Sequence, residues 1–197
     1  MTASNTPREN TEFATKSIVV QVQSGNIQAY TEIIRSFQKQ IYIYCYYLLG
    51  SKEEAEDAAQ DIFIKGLENI RNFSYTVSFS AWLYKIAHHH CMDILKKKNK
   101  SYKFWTSFKK EQAHDQSHRQ AYEYDDFIHE LLEKLSVDER RILLLRSIEE
   151  YSFDEIASIM ELKATTVRKK YERLRKKLLK EKKLGGEIYE HSLKTEG

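Results

Sequence analysis

Residues 152–178 read SFDEIASIMELKATTVRKKYERLRKKL, and the architecture of the chain turns on how this stretch folds back on itself. Ser152 is a helix cap, and Phe153, Ile156, Ala157 and Met160 recur at the three- and four-residue spacing of one helical face. Glu161-Leu162-Lys163 makes a turn. Thr165 or Thr166 then leads into a second helix whose apolar stripe is Val167, Tyr171, Leu174 and Leu178. Two helices joined by so short a turn approach closely, which the small Ala157 permits. The turn lacks its preferred glycine, and a left-handed Glu161 in its place costs on the order of 1 kcal/mol. The stripe leaves Thr165, Arg168, Lys169, Glu172 and Arg173 pointing outward, where a helix inserted in a major groove meets base edges. Lys170, Arg175, Lys176 and Lys177 are placed to meet phosphates. The competing reading is a solvated basic helix in a plain helical hairpin.

The rest of the chain is also helical in pattern. It holds one proline, Pro7, and six glycines in 197 residues, so helix breakers are scarce and Asn-Gly or Asp-Gly hairpin signals are absent. Ala29, Ile33, Phe37, Ile41, Tyr44, Cys45 and Leu48 mark a long amphipathic helix that Gly50 ends. Ser51 caps the next, with Glu54 as its capping-box partner; Ala55, Ala59, Ile62, Phe63 and Leu67 share one face, and Glu56, Asp57, Gln60 and Asp61 another. Asn69 to Val77 reads as a loop. A helix from Ser78 is expected to bury Phe79, Trp82, Leu83, Ile86, Cys91, Ile94 and Leu95 before dissolving into lysines. Further on, Phe127, Ile128, Leu131, Leu132 and Leu135 form a stripe, and Ser136 with Glu139 caps the run Ile142 to Ile148.

Charge is distributed unevenly although its sum is only +3. Lys96 to Lys110 carries seven lysines and no acid, and Lys163 to Lys183 carries eleven basic residues against Glu172 and Glu181. Ser51 to Asp61 holds five acids against Lys52, and Tyr122 to Glu139 holds seven against Lys134. Such blocks suit two surfaces for a polyanion and acidic surfaces for another partner. Phe73, Phe79, Trp82 and Tyr84, followed by His88, His89, His90 and lysines, suit stacking on unpaired bases. Packing is the better reading for Trp82 and Phe79; Phe73 and His89 have the stronger claim to base contact.

Several classes are disfavoured. The longest apolar stretch, Ile41 to Leu49, is far short of the ~20 residues needed to span a bilayer, and no secretory pattern opens the chain, so a cytoplasmic protein is expected. Cys45 and Cys91 make no disulfide framework. His88 and Cys91 have the spacing of a metal-ligand pair on one helical face, without the companion ligands a site needs. No phosphate loop, nucleophile elbow or catalytic carboxylate pair is present, so no enzyme and no cofactor are expected.

In their order and separation, AEDAAQDIF (55–63), SFSAWLYKIA (78–87), Cys91-Met92-Asp93, LLLR (143–146) and SFDEIA (152–157) resemble a bacterial sigma factor of the extracytoplasmic-function group within the sigma-70 superfamily. The resemblance, from about Ile18 to Glu181, implies an all-α protein of two small domains joined by a flexible basic linker. It divides the chain into a disordered tail (1–16), a region 2-like domain (17–98), the linker (99–121), a region 4-like helix-turn-helix domain (122–183) and a C-terminal tail (184–197). It further implies a subunit that binds RNA polymerase core and directs it to promoters in a stress or envelope response. Asp57, Gln60 and Asp61 would dock on the clamp helices of the largest subunit, and apolar surface near Leu144 and Leu145 on the flap of the second-largest. Phe73, Ile86 and His89 would hold a flipped base of the minus-ten element; Thr165, Arg168, Lys169, Glu172 and Arg173 would read the minus-thirty-five element. An anti-sigma factor is implied as a further partner. The rival readings are a helix-turn-helix regulator binding operator DNA without polymerase, and a metal-dependent protein centred on His88 to Cys91.

Overall fold

The computed structural model describes residues 7–108, 131–132, 134–147 and 149–194. Among these there are helices and short 3-10 turns and no strand. The chain divides into two compact units, residues 1–134 and 135–197.

The first unit contains α1 (Pro7–Gln23), α2 (Tyr30–Leu49), α3 (Lys52–Asn69) and α4 (Phe79–Phe108), with 3-10 turns at Ile27–Ala29 and Ile70–Asn72. From Ile33 on, the expected stripe of α2 is its buried face, with Ile33, Phe37, Ile41, Tyr44, Cys45 and Leu48 all in the core, whereas Ala29 falls in the preceding 3-10 turn and is half-buried. Gly50 ends α2 at φ 75°, a left-handed conformation that a residue with a Cβ adopts at a cost. Ser51 caps α3 by accepting from the Glu54 amide at 3.4 Å, but the reciprocal half of the expected box is missing because the Glu54 carboxylate pairs with Lys98 of α4. Gly66 lets α2 and α3 close together: a Cβ there would lie 2.5 Å from the Tyr30 hydroxyl oxygen, which donates to the Phe63 carbonyl at 2.8 Å.

Three expectations are corrected in this unit. The segment expected as a disordered tail, 1–16, is helical from Pro7 as the start of α1, and of its residues Thr15 is buried on the same face as Val19 and Val22 of the expected domain. α4 does not dissolve at the lysines but runs on to Phe108, lysine being a good helix former. The buried face of α4 is also rotated from the expected one. Phe79, Leu83, Tyr84, Ala87, His88 and Cys91 are in the core, whereas Trp82, Ile86, Ile94 and Leu95 are only half-buried. Cys91 stays on the buried face, and it meets Cys45 of α2 as a free thiol, Sγ to Sγ 3.7 Å. Hydrogen bonding to Cys91 and burial both push the Cys45 thiol up in pKa, so it stays protonated. Residues 109–121 of the expected linker, with Phe127 and Ile128, lie outside the described residues.

The second unit contains α5 (Val137–Ser147), α6 (Phe153–Met160) and α7 (Ala164–Lys194), the last extending past the expected domain end into the segment expected as a tail. Its core is Leu135, Ile142, Leu144, Leu145, Tyr151, Ile156, Ile159, Val167 and Leu174. Both N-terminal caps are reciprocal boxes. The Ser136 amide donates to Glu139 Oε2 at 2.8 Å and the Glu139 amide to Ser136 Oγ at 3.4 Å. The Ser152 amide donates to Glu155 Oε2 at 2.8 Å, and the Glu155 amide returns a bond of 3.2 Å.

Candidate functional site

Between α6 and α7 the turn forms as expected, with Glu161 at φ 54° and ψ 42° and the Leu162 amide closing onto the Ala157 carbonyl at 2.9 Å. Val167 and Leu174, both 0% exposed, anchor the inner face of α7. Consequently Thr165, Arg168, Lys169, Glu172 and Arg173 all stand exposed on the outer face. Arg168 and Arg146 lie over the Phe153 ring, 5.3 and 5.0 Å from its centroid, and the same ring meets Tyr171 at 5.4 Å. This stacking orients Arg168 at the front of the helix.

Two of the lysines expected to meet phosphates are used inside the unit. Lys170 pairs with Asp138, which also receives the buried Arg141, and Lys177 lies 3.7 Å from Glu139. Burial pushes the Asp138 carboxyl up, but hydrogen bonds and charge from Lys170 and Arg141 outweigh it and hold its pKa below the ordinary value. Arg175 and Lys176 remain exposed. Leu144 and Leu145 are 4% and 0% exposed, so they belong to the unit's core and form no apolar surface. Their run alternates too closely for all of it to face outward; Leu143 is the half-exposed member.

In the first unit Asp57, Gln60 and Asp61 are exposed along α3. One turn further along lies Ile64, 56% exposed, which continues the same face and was not singled out by the sequence pattern. Around the edge of α3 the acids give way to a basic cavity. It has a volume of about 390 Å³ between α3, the 3-10 turn and α4. Lys65, Asn69 and Asn72 line one side; Trp82, Lys85, Ile86, His89, His90 and Asp93 line the other.

The structure therefore brings Ile86 and His89 together at one cavity but leaves Phe73 out of its lining. Phe73 is 6% exposed, with its ring 4.8 Å from Tyr75, 5.4 Å from Phe79 and 5.0 Å from Trp82. It supports the cavity wall from behind, while Trp82, expected to be packing, reaches the cavity. Asn69, Asn72 and Lys65 were missed because their spacing makes sense only after the 3-10 turn folds α3 back toward α4. His88 is buried with its ring 5.1 Å from His89, and among the described residues no three His, Cys, Asp or Glu side chains gather as metal ligands.

Two family models match the chain, Sigma-70 region 2 over residues 33–101 and Sigma-70 region 4 over residues 128–178. The chain belongs to the sigma-70 superfamily. Within it, the relatives place this sigma factor in the extracytoplasmic-function group. The ECF RNA polymerase sigma factor SigW of Bacillus subtilis is 29% identical over 182 residues, covering 86% of this chain and 97% of that protein. RNA polymerase sigma-H factor of Pseudomonas aeruginosa is 25% identical, covering 84% and 92%. The fold is shared with the sigma factor RpoE of Bartonella quintana, solved with the anti-sigma factor NepR, at TM-score 0.64, 20% identity and coverage of 77% and 94%. It is shared equally with CnrH, solved with the cytosolic domain of CnrY, at TM-score 0.64, 20% identity and coverage of 82% and 92%. As an alternative sigma factor the protein directs transcription initiation by RNA polymerase, and the reading as a polymerase-independent regulator is not favoured. No described helix is long and apolar enough to cross a membrane.

Proposed function

We propose that this sigma factor divides its work among three surfaces. The exposed face Asp57, Gln60, Asp61 and Ile64 of α3 docks on the clamp helices of the largest polymerase subunit. Acids give that contact its steering and its register, and Ile64 contributes apolar area at its C-terminal end. The cavity of Ile86, His89 and Trp82 takes an unpaired base of the minus-ten element, with Lys65 and Lys85 facing its phosphate and Trp82 offering a stacking surface. The outer face of α7 reads the minus-thirty-five element: Arg168 and Arg173 have the forked donors that match guanine, Thr165 and Glu172 complete the base contacts, and Arg175 and Lys176 hold the backbone. An anti-sigma factor is the natural counterpart of such exposed charged surfaces, as the two solved relatives carry partners in their complexes.

The observation that carries this reading is the segregation of charge within one small unit, where an exposed acidic face borders a cavity lined by lysine, histidine and tryptophan. Nucleic acid alone would be repelled by the first, and a protein partner alone would leave the second without use. The test is transcription from a promoter library by bacterial core polymerase with and without the purified chain. Transcripts that start at a shared pair of promoter elements only when the chain is present support the proposal. Transcripts independent of the chain, or its failure to associate with core, would refute it.

A further inference from the structure

α1 precedes the residues matched by the region 2 model, yet its last residue reaches across 47 and 50 positions of sequence to the loop beside the cavity. Gln23 Nε2 donates to the Ile70 carbonyl at 2.8 Å and to the Phe73 carbonyl at 2.9 Å. One amide nitrogen has two hydrogens, and here both are spent on the two ends of a single 3-10 turn. Within that turn the Phe73 amide also bonds to the Ile70 carbonyl at 3.1 Å. α1 grips the same loop a second time, where the Tyr75 hydroxyl donates to the Lys16 carbonyl at 3.3 Å and the Lys16 ammonium lies 5.4 Å from the Tyr75 ring.

The gripped segment holds two parts of the cavity. Asn72, between the two bonded carbonyls, lines it directly, and the Phe73 ring backs Trp82. We propose that Gln23 is a positioning residue for the minus-ten site, its amide locking the Ile70–Phe73 turn so that Asn72 and the Phe73–Trp82 pair are set before DNA arrives. This rests on reading the cavity as the base-binding site. A loop already in its bound conformation loses less freedom on binding, so the lock raises affinity for the strand without touching it.

Gln23→Glu keeps the shape and removes both donors; Gln23→Lys restores a donor. Each full-length variant is assembled with core polymerase, and its affinity is measured for a labelled single-stranded oligonucleotide from the minus-ten region of a promoter that the wild type transcribes. Gln23→Glu is expected to weaken oligonucleotide binding about tenfold with core affinity unchanged, and Gln23→Lys to recover most of the loss. Equal oligonucleotide binding by wild type and Gln23→Glu overturns the proposal, as does a parallel fall in core affinity, which would mark a general loss of fold. If wild-type holoenzyme itself ignores the oligonucleotide, the reading of the cavity fails instead, and the proposal with it.

Discussion

Lys65 of α3 donates to Nδ1 of His90 at 2.5 Å, and Nε2 of the same ring lies 3.4 Å from Asp61. A neutral imidazole thus ties the cavity lysine to the exposed acidic face of α3. Burial and the Lys65 ammonium, helped by Lys97, lower the His90 pKa against the opposing pull of Asp61 and Asp93. Because the folded value lies below the ordinary 6.5, the unfolded chain takes up the proton first. Stability is therefore lost as pH falls through 6.5 toward the folded value, and the loss is complete below it. Denaturant midpoints at about pH 7.5 and about pH 5.5 should show a smaller drop for His90→Gln than for the wild type. An equal drop would remove His90 from the account.

The proposed docking role of the α3 face can be tested apart from that ring. Asp57→Arg reverses charge at an exposed site and is expected to slow association with core polymerase, most strongly at low salt. Ile64→Ala should weaken core binding by about 1 to 2 kcal/mol, through dissociation rather than association. Surface plasmon resonance with immobilised core separates the two, and circular dichroism checks that the fold is kept.

On α7 the two kinds of basic residue should behave differently. Arg173→Ala is expected to cost about 1 to 3 kcal/mol on the preferred minus-thirty-five sequence and to relax the choice of base at one position. Arg175→Ala should weaken all sequences alike and reduce the salt slope of binding by about one. Holoenzyme binding to duplexes mutated at single positions, at several salt concentrations, distinguishes them.

Glu161 sits at φ 54° without the glycine that this turn favours. Glu161→Gly is expected to stabilise the second unit by about 0.5 to 1 kcal/mol, since the relief of left-handed strain exceeds the added freedom of the unfolded chain. A higher melting temperature with unchanged duplex binding is the expected result.

The same unit should be acid-sensitive. Asp138 and Glu139 both have lowered pKa values, Glu139 because hydrogen bonds from Ser136 and the charge of Lys177 overcome its partial burial. A carboxylate with a depressed folded pKa contributes stability that is present above its unfolded value and lost as pH falls through the folded one. Asp138→Asn should flatten the part of the acid limb of unfolding that lies below the ordinary value of 3.8 and leave the share of Glu139, which sets in below 4.5.

Much of this was legible where a residue's neighbours lie within one helical turn. The stripe of α2, the Ser136 and Ser152 caps, the left-handed Glu161 and the five exposed side chains of α7 all follow from local spacing. What local spacing misses is partnership at long range. Leu144 and Leu145 look like surface or core equally until α5 is packed, and Lys170 and Lys177 look free until Asp138 and Glu139 arrive from another helix. Thr15 hides the buried face of α1 because a polar residue breaks the apolar pattern. The single-turn 3-10 segment after α3 decides that Asn69 and Asn72 face α4 and that Phe73 turns inward.

The only two sulfhydryl groups of the chain, Cys45 and Cys91, are shut between α2 and α4 at 0% exposure. A maleimide added under native conditions would reach neither until those helices part, and would then reach both. The rate of double labelling is thus a stopwatch for the opening of the first unit, readable by mass in the wild-type chain with no added dye or mutation, and a bound partner that holds the helices closed would slow it.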